Sequence, residues 1–173
     1  RADAAGAALA CLGAADGYSD ERTYALLPDH EGGLWLATHT SGVFRYTGFH
    51  GGRDRFVTYG PESGLLDSNV WGIGVTGSGD VLLAQGPGLT RLGTSTPVHY
   101  LPGDGLPGRL PTQMVADGEG GLWFGTKGGL SRYRDGRVTV VPGTAPASDD
   151  VINAVLRASD GRVYAAASRA GLH

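Results

Sequence analysis

The chain has 173 residues, 31 of them glycine, with 18% charged residues and a formal net charge of -3. So small and balanced a charge excludes a basic nucleic-acid footprint and an acidic tail for a polybasic partner, and no apolar run approaches the ~20 residues of a membrane span. Cys11 is the only cysteine, so an internal disulfide is excluded, which suits a periplasm and a cytoplasm equally.

Glycine is far above its usual ~7%. It recurs at fixed offsets, so it marks turns rather than disorder. Residues 4–15 are small and apolar, as in a secretory leader. Asp3 stands beside them without a basic cluster, which argues against that reading. Residues 1–16 align best with 132–147, so 7–12 is expected to be the outer strand of a preceding unit.

Complete units then follow. In the first, 17–63, strands are expected over 23–27, 34–37, 43–46 and 55–59. In the second, 64–104, they are expected over 70–75, 81–84, 89–92 and 98–101. In the third, 105–147, they are expected over 112–116, 122–125, 130–133 and 137–141. The last unit, 148–173, offers 152–156 and 163–166 and ends as its third strand begins. No stretch has a convincing helical period.

Two landmarks keep the same time. Trp35, Leu82, Trp123 and Tyr164 recur at steps of 47, 41 and 41 residues. Gly17, Gly64, Gly105 and Ser148 open the units at steps of 47, 41 and 43. A period of this length marks the blades of a β-propeller. The expected fold is therefore all-β, an incomplete propeller of four-stranded antiparallel sheets ordered from axis to rim.

The first strand of each unit aligns without gaps. Leu26, Ile73, Met114 and Val155 share a column expected to be core. Ala25, Gly72, Gln113 and Ala154 form the next column, where small residues suit a strand crowded against the axis. The turns that follow are rich in aspartate and glycine, which favour hairpins. The tryptophan column is expected to pack between blades. A further column, Tyr24, Trp71, Thr112 and Asn153, is too varied for a core slot and lies near the mouth of the channel.

Little in the chain suggests chemistry. His30, His39, His50, His99 and His173 are scattered, and none has a metal-ligand spacing with Cys, Asp or Glu. No nucleophile elbow is present. Asp29-His30-Glu31 and Asp117-Gly118-Glu119 lack the alternating carboxylates of a calcium loop and read as hairpin turns. No cofactor, metal or catalytic residue is expected.

These residues resemble the two-component regulator propeller repeat. Gly105-Leu106-Pro107, Asp117, Gly121-Leu122-Trp123, Gly125-Thr126 and Gly128-Gly129-Leu130 carry the resemblance, with Gly64-Leu65 and Gly17-Tyr18 as further openings. The second and fourth units depart from it, with Leu82 or Tyr164 for tryptophan and Ala84-Gln85 or Ala166-Ala167 for Gly-Thr. The resemblance implies a non-catalytic sensor module, on the periplasmic or extracytoplasmic side of an inner-membrane protein. It implies as partners the remaining blades of a larger propeller and an output domain, a histidine kinase, hybrid regulator or diguanylate cyclase. The rival readings are a streptogramin-lyase-like enzyme and a protein-interaction scaffold. Lyase repeats typically carry a Thr-Glu pair where this chain has Gly-Thr or Ala-Thr.

Because strands alternate direction, the turn between second and third strands shares a face with the links between blades. That face is expected to meet a small polar ligand such as a glycan piece, since binding groups favour loops. Its turn residues are His39, Thr40, Ser41, Gln85, Lys127 and Arg169. Its link residues are Arg22, Asn69, Arg109 and Asp150. Tyr24 and Trp71 stand at the channel mouth. No nucleic-acid or membrane contact is expected.

Overall fold

The computed structural model describes residues 11–18, 22–29, 31–50, 53–93, 95–108, 111–144, 150–169 and 171–172. Strands β1 (Thr23–Pro28), β2 (Leu34–Thr38), β3 (Val43–His50) and β4 (Arg53–Tyr59) form the first sheet in that order. β5 (Val70–Val75), β6 (Val81–Gln85), β7 (Leu89–Leu92) and β8 (Val98–Tyr100) form the second. β9 (Met114–Ala116), β10 (Leu122–Thr126), β11 (Gly129–Arg134) and β12 (Arg137–Val140) form the third. β13 (Ile152–Arg157), β14 (Val163–Ala167) and β15 (Gly171–Leu172) form the fourth. Every pairing is antiparallel between chain neighbours. The innermost strands β1, β5, β9 and β13 approach one another in sequence, which makes the sheets an arc of an incomplete propeller.

The hairpins form for a local reason. The carboxylate of Asp117 accepts the backbone N–H groups of Glu119 at 2.7 Å and Gly121 at 2.8 Å. Asp29 does the same with Glu31 at 2.9 Å and Gly33 at 2.6 Å. A side chain at Gly33 or Gly121 would overlap the carbonyl oxygen of Tyr46 or Tyr133 across the sheet. The turn thus needs aspartate to satisfy its donors and glycine to let the third strand close in.

Alternation along each strand gives every sheet two packing faces. Trp35 and Ala37 of the first sheet meet Ile73, Val81 and Leu83 of the second. Leu82 and Ala84 of the second meet Met114, Leu122 and Phe124 of the third. Trp123 and Leu130 of the third meet Ile152, Val155 and Ala165 of the fourth. The tryptophan column therefore packs between blades.

The structure corrects several expectations. Leu26 is 62% exposed, although its column mates Ile73, Met114 and Val155 are buried. That column faces the preceding blade, and no described sheet lies on that side of β1. Leu156, on the opposite face of the fourth sheet, is likewise 62% exposed. The small column is not crowded by the axis itself. A Cβ on Gly72 would lie 2.7 Å from the carbonyl oxygen of Thr112, so the crowding there comes from the segment leading into the next inner strand. Gln113 and Ala154 of the same column are exposed. The third inner strand begins at Met114 rather than 112, because Thr112 turns its hydroxyl to Ile152 of the next sheet. β3 and β4 run further than expected, as a long hairpin, and β8 stops at Tyr100, where Leu101 enters a turn with Asp104. The strand expected over 7–12 falls on residues outside the described set except for Cys11 and Leu12, which are not in a strand.

These burials set a measurable contrast. Ile73→Ala, in the core between two sheets, should cost about 2–4 kcal/mol. Leu26→Ala should change stability by less than about 0.5 kcal/mol, since its side chain has little packing to lose. Urea denaturation of the two variants checks this, and equal losses would show that Leu26 is covered in solution.

Candidate ligand cleft at the propeller axis

The cleft arises from a repeated irregularity of the inner strands. Thr23 pairs with Thr38 and Ala25 with Ala37, which leaves Tyr24 without a partner. Trp71 is skipped in the same way between Val70 and Gly72, and Asn153 between Ile152 and Ala154. A bulged residue is released from the ladder and its side chain re-aimed. In the third sheet Thr112 takes this place. Its backbone N–H bonds the carbonyl of Gly125 at 2.9 Å, and its hydroxyl donates to the carbonyl of Ile152 at 2.8 Å.

The bulges bring the variable column together. Tyr24 and Trp71 stack with ring centroids 5.2 Å apart and planes 13° from parallel. His39 meets the Tyr24 ring edge-on at 5.7 Å. Both stacked rings remain open, Tyr24 at 41% and Trp71 at 42% exposure. They line a cleft of about 760 Å³ to which all four inner segments contribute, through Leu26, Ile73, Gln113 and Asn153 among others. Every described residue of the lining is uncharged.

The residues expected at the ligand face divide into two groups. Tyr24, Trp71 and His39 form one cluster. Of that cluster Tyr24 and Trp71 line the cleft, whereas His39 and the other described members of the expected face do not. Gln85 is fully buried; its Nε2 donates to the carbonyl of Asp67, and its Oε1 accepts from Thr90 Oγ1 at 2.6 Å. Its amide ties a turn to a blade link, which removes it from the ligand-facing set. Asn69 is half-buried in that link, bonded through its N–H to Asp67. Arg22 is exposed, and its carbonyl accepts the His39 N–H at 3.1 Å. Lys127 and Arg169 are exposed at the turns after β10 and β14. The Arg169 N–H bonds the buried carboxylate of Asp150 at 2.9 Å. Arg109 lies outside the described residues. The bonds His39–Arg22, Gln85–Asp67 and Arg169–Asp150 do put these turns and the blade links on one side of the arc.

Thr112, Gln113 and Asn153 also line the cleft, although none is among the residues expected at the ligand face. Thr112 and Asn153 share the variable column with Tyr24 and Trp71, so the column itself was the signal. Gln113 was legible as the one long side chain in an otherwise small column.

The opposite side is built from ion pairs. Arg45 Nε donates to Asp29 at 2.8 Å and its Nη2 to Glu31 at 2.6 Å. Arg132 Nε donates to Asp117 at 2.8 Å and its Nη2 to Glu119 at 2.8 Å. Each guanidinium also lies over the tryptophan beside it, 5.3 Å from Trp35 and 5.1 Å from Trp123. The carboxylates that suggested a calcium loop converge on arginine. Among the described residues no group of three or more His, Cys, Asp or Glu could hold a metal.

Burial pushes the Asp117 carboxyl upward, but the Glu119 N–H and Arg132 more than offset it and hold it below the usual range. Asp29 is lowered in the same way, with the Gly33 N–H and Arg45 opposing burial.

Residues 17–40 match the sequence model of the two component regulator propeller. No curated protein matches the chain. Among solved structures, the extracellular domain of B. thetaiotaomicron BT4673, assigned as a hybrid two component system, is similar at TM-score 0.69 and 18% identity, over 87% of this chain and 20% of that one. That of BT3049, assigned likewise, is similar at TM-score 0.66 and 19% identity, over 83% and 20%. A catalytically inactive virginiamycin B lyase from Staphylococcus aureus is similar at TM-score 0.60 and 19% identity, over 83% and 48%. The chain thus spans 20% of the length of the first two. Likeness at this identity shows the fold. Together these findings identify a two-component regulator propeller repeat at residues 17–40, set in an arc of propeller blades.

Proposed function

We propose that this arc is the ligand-binding part of an extracytoplasmic sensor in a signal-transduction protein and performs no reaction itself. The observation that carries the reading is the uncharged axial cleft, with the open Tyr24–Trp71 stack at its wall. An exposed, pre-stacked aromatic pair offers a rigid platform to a ligand ring. The repeat at 17–40 and the likeness to extracellular domains of two component systems support the sensing role. No helix among the described residues is long and apolar enough to cross a membrane. The remaining blades of the propeller would cover Leu26 and Leu156, and an output domain would read the bound state. Among the described residues the cleft lining has no His or carboxylate to move a proton, which favours binding over lyase chemistry. The ligand is a small polar molecule of the glycan class.

Trp71→Ala tests this directly. Binding of an oligosaccharide from an array should weaken about tenfold or more, as one stacking surface is lost. Thermal stability should hold, because Trp71 is 42% exposed and belongs to none of the cores between sheets. Unchanged binding in Trp71→Ala, with loss on changing Glu119 instead, would place the site on the opposite side.

A further inference from the structure

We infer that the axial cleft selects an uncharged, hydroxyl-bearing ring and that Gln113 is its specificity-determining hydrogen-bonding group. The inference rests on the reading of this cleft as the ligand site.

In the column of Ala25, Gly72, Gln113 and Ala154, three side chains carry no hydrogen-bonding group. Gln113 breaks the pattern where two inner segments pass closely. A Cβ on Gly72 would lie 2.7 Å from the carbonyl oxygen of Thr112, the residue before Gln113, so the second inner strand gives up its side chain as this segment passes. Met114, the next residue, is buried between sheets and anchors the segment. The Gln113 side chain is exposed in the cleft wall and forms no hydrogen bond with the described residues. The other polar side chains of the wall are partly committed. Thr112 donates its hydroxyl proton to the Ile152 carbonyl, and Asn153 donates through Nδ2 to Ser168 Oγ. Gln113 therefore brings a whole free amide, one acceptor and two donors, and Asn153 adds a free Oδ1 acceptor.

This inventory defines a ligand. A hydroxyl both donates and accepts, so it satisfies either end of a primary amide. An ionised group would leave water for a wall whose described residues offer no counter-charge, which is costly. The C–H face of a neutral sugar ring suits the open face of Trp71, with its hydroxyl rim toward Gln113 and Asn153. Acidic sugars and phosphates are disfavoured by the same wall.

The test uses the full chain, a panel of neutral oligosaccharides and the corresponding uronic-acid oligosaccharides, read by tryptophan fluorescence. Trp71→Phe identifies the signal that belongs to the cleft. The expected result is binding confined to neutral members. Gln113→Ala should weaken it about two- to tenfold, the worth of a neutral hydrogen bond. Gln113→Glu should weaken it further by placing a charge in the uncharged wall. Near-UV circular dichroism confirms that each variant keeps its packing. Stronger binding of uronic-acid members overturns the charge selection. Neutral binding that depends on Trp71 but ignores Gln113→Ala overturns the role of Gln113 and leaves the cleft reading standing. Failure of every panel member to change the Trp71 signal overturns the cleft reading and this inference with it.

Discussion

Asp117→Ala should cost about 3–5 kcal/mol, the usual result of removing one partner from a buried ion pair. For a chain of this length that is a fall of about 10 °C in Tm. The side chain of Asp117 is fully buried, while that of its partner Arg132 is 24% exposed. The carboxylate serves the Glu119 N–H, the Gly121 N–H and Arg132 at once. Alanine would strand these backbone donors in the turn and leave the guanidinium that covers Trp123 held by Glu119 alone. Asp117→Asn keeps an acceptor for the backbone but loses the charge, so it should fall between wild type and alanine. A loss below about 1 kcal/mol in Asp117→Ala would show that water replaces the carboxylate and that the hairpin needs only its glycines.

The same groups give stability a sign with pH. Asp117 and Asp29 are held below the ordinary carboxylate value of ~3.9 by N–H donors and arginine acting against burial. A lowered folded value means that their contribution is complete above the unfolded value. It is lost as pH falls through the folded one. Tm should therefore be flat near neutrality and fall below about pH 4, and Asp117→Asn should flatten that acid limb.

These clasps show where sequence reading stops. Asp29 and Arg45 are 16 positions apart, and Asp117 and Arg132 are 15. Their pairing follows only from hairpin register, in which Trp35 lies opposite Arg45 and Trp123 opposite Arg132. The repeat itself was legible because each blade sets the same demands: a turn aspartate, a glycine beneath the third strand, and an apolar row toward each neighbour. Leu26 misled because a column describes a slot and not whether a neighbour fills it. Gln85 misled because a polar residue at a turn can face inward, and here its partners are a carbonyl and a buried threonine. The inner-strand bulges were not legible, since a skipped ladder residue leaves the side-chain alternation on either side of it looking ordinary. They nevertheless decide the site, by turning Tyr24, Trp71 and Asn153 into one cleft.

Gly125→Ala should detach the fourth sheet from the third. Gly125 lies in β10 directly against Ile152 of β13. A Cβ there would overlap the Ile152 carbonyl oxygen and stand 2.6 Å from its Cγ2 and 2.8 Å from its Cβ. Much of this obstruction is backbone or branched at Cβ, so it cannot swing aside as a flexible tip would. Ala37 and Ala84 hold the equivalent position in the first two sheets, where both are fully buried. A methyl is thus compatible with the repeat but not with the closer approach made here. Thr112 fastens that approach, since its hydroxyl reaches the carbonyls of both Gly125, at 3.2 Å, and Ile152, at 2.8 Å. Overpacking at such a joint costs about 1–3 kcal/mol, and Gly125→Val should cost more. The loss should be local, because the fourth sheet meets the rest through one packing face. Hydrogen exchange should quicken across β13 and β14 while β2 and β6 keep their protection. Asn153, adjacent to Ile152, should move with β13, so binding in the cleft should weaken even with Trp71 and Gln113 intact. If protection of β13 and ligand binding are both unchanged in Gly125→Ala, the two sheets have slack that the backbone distances deny.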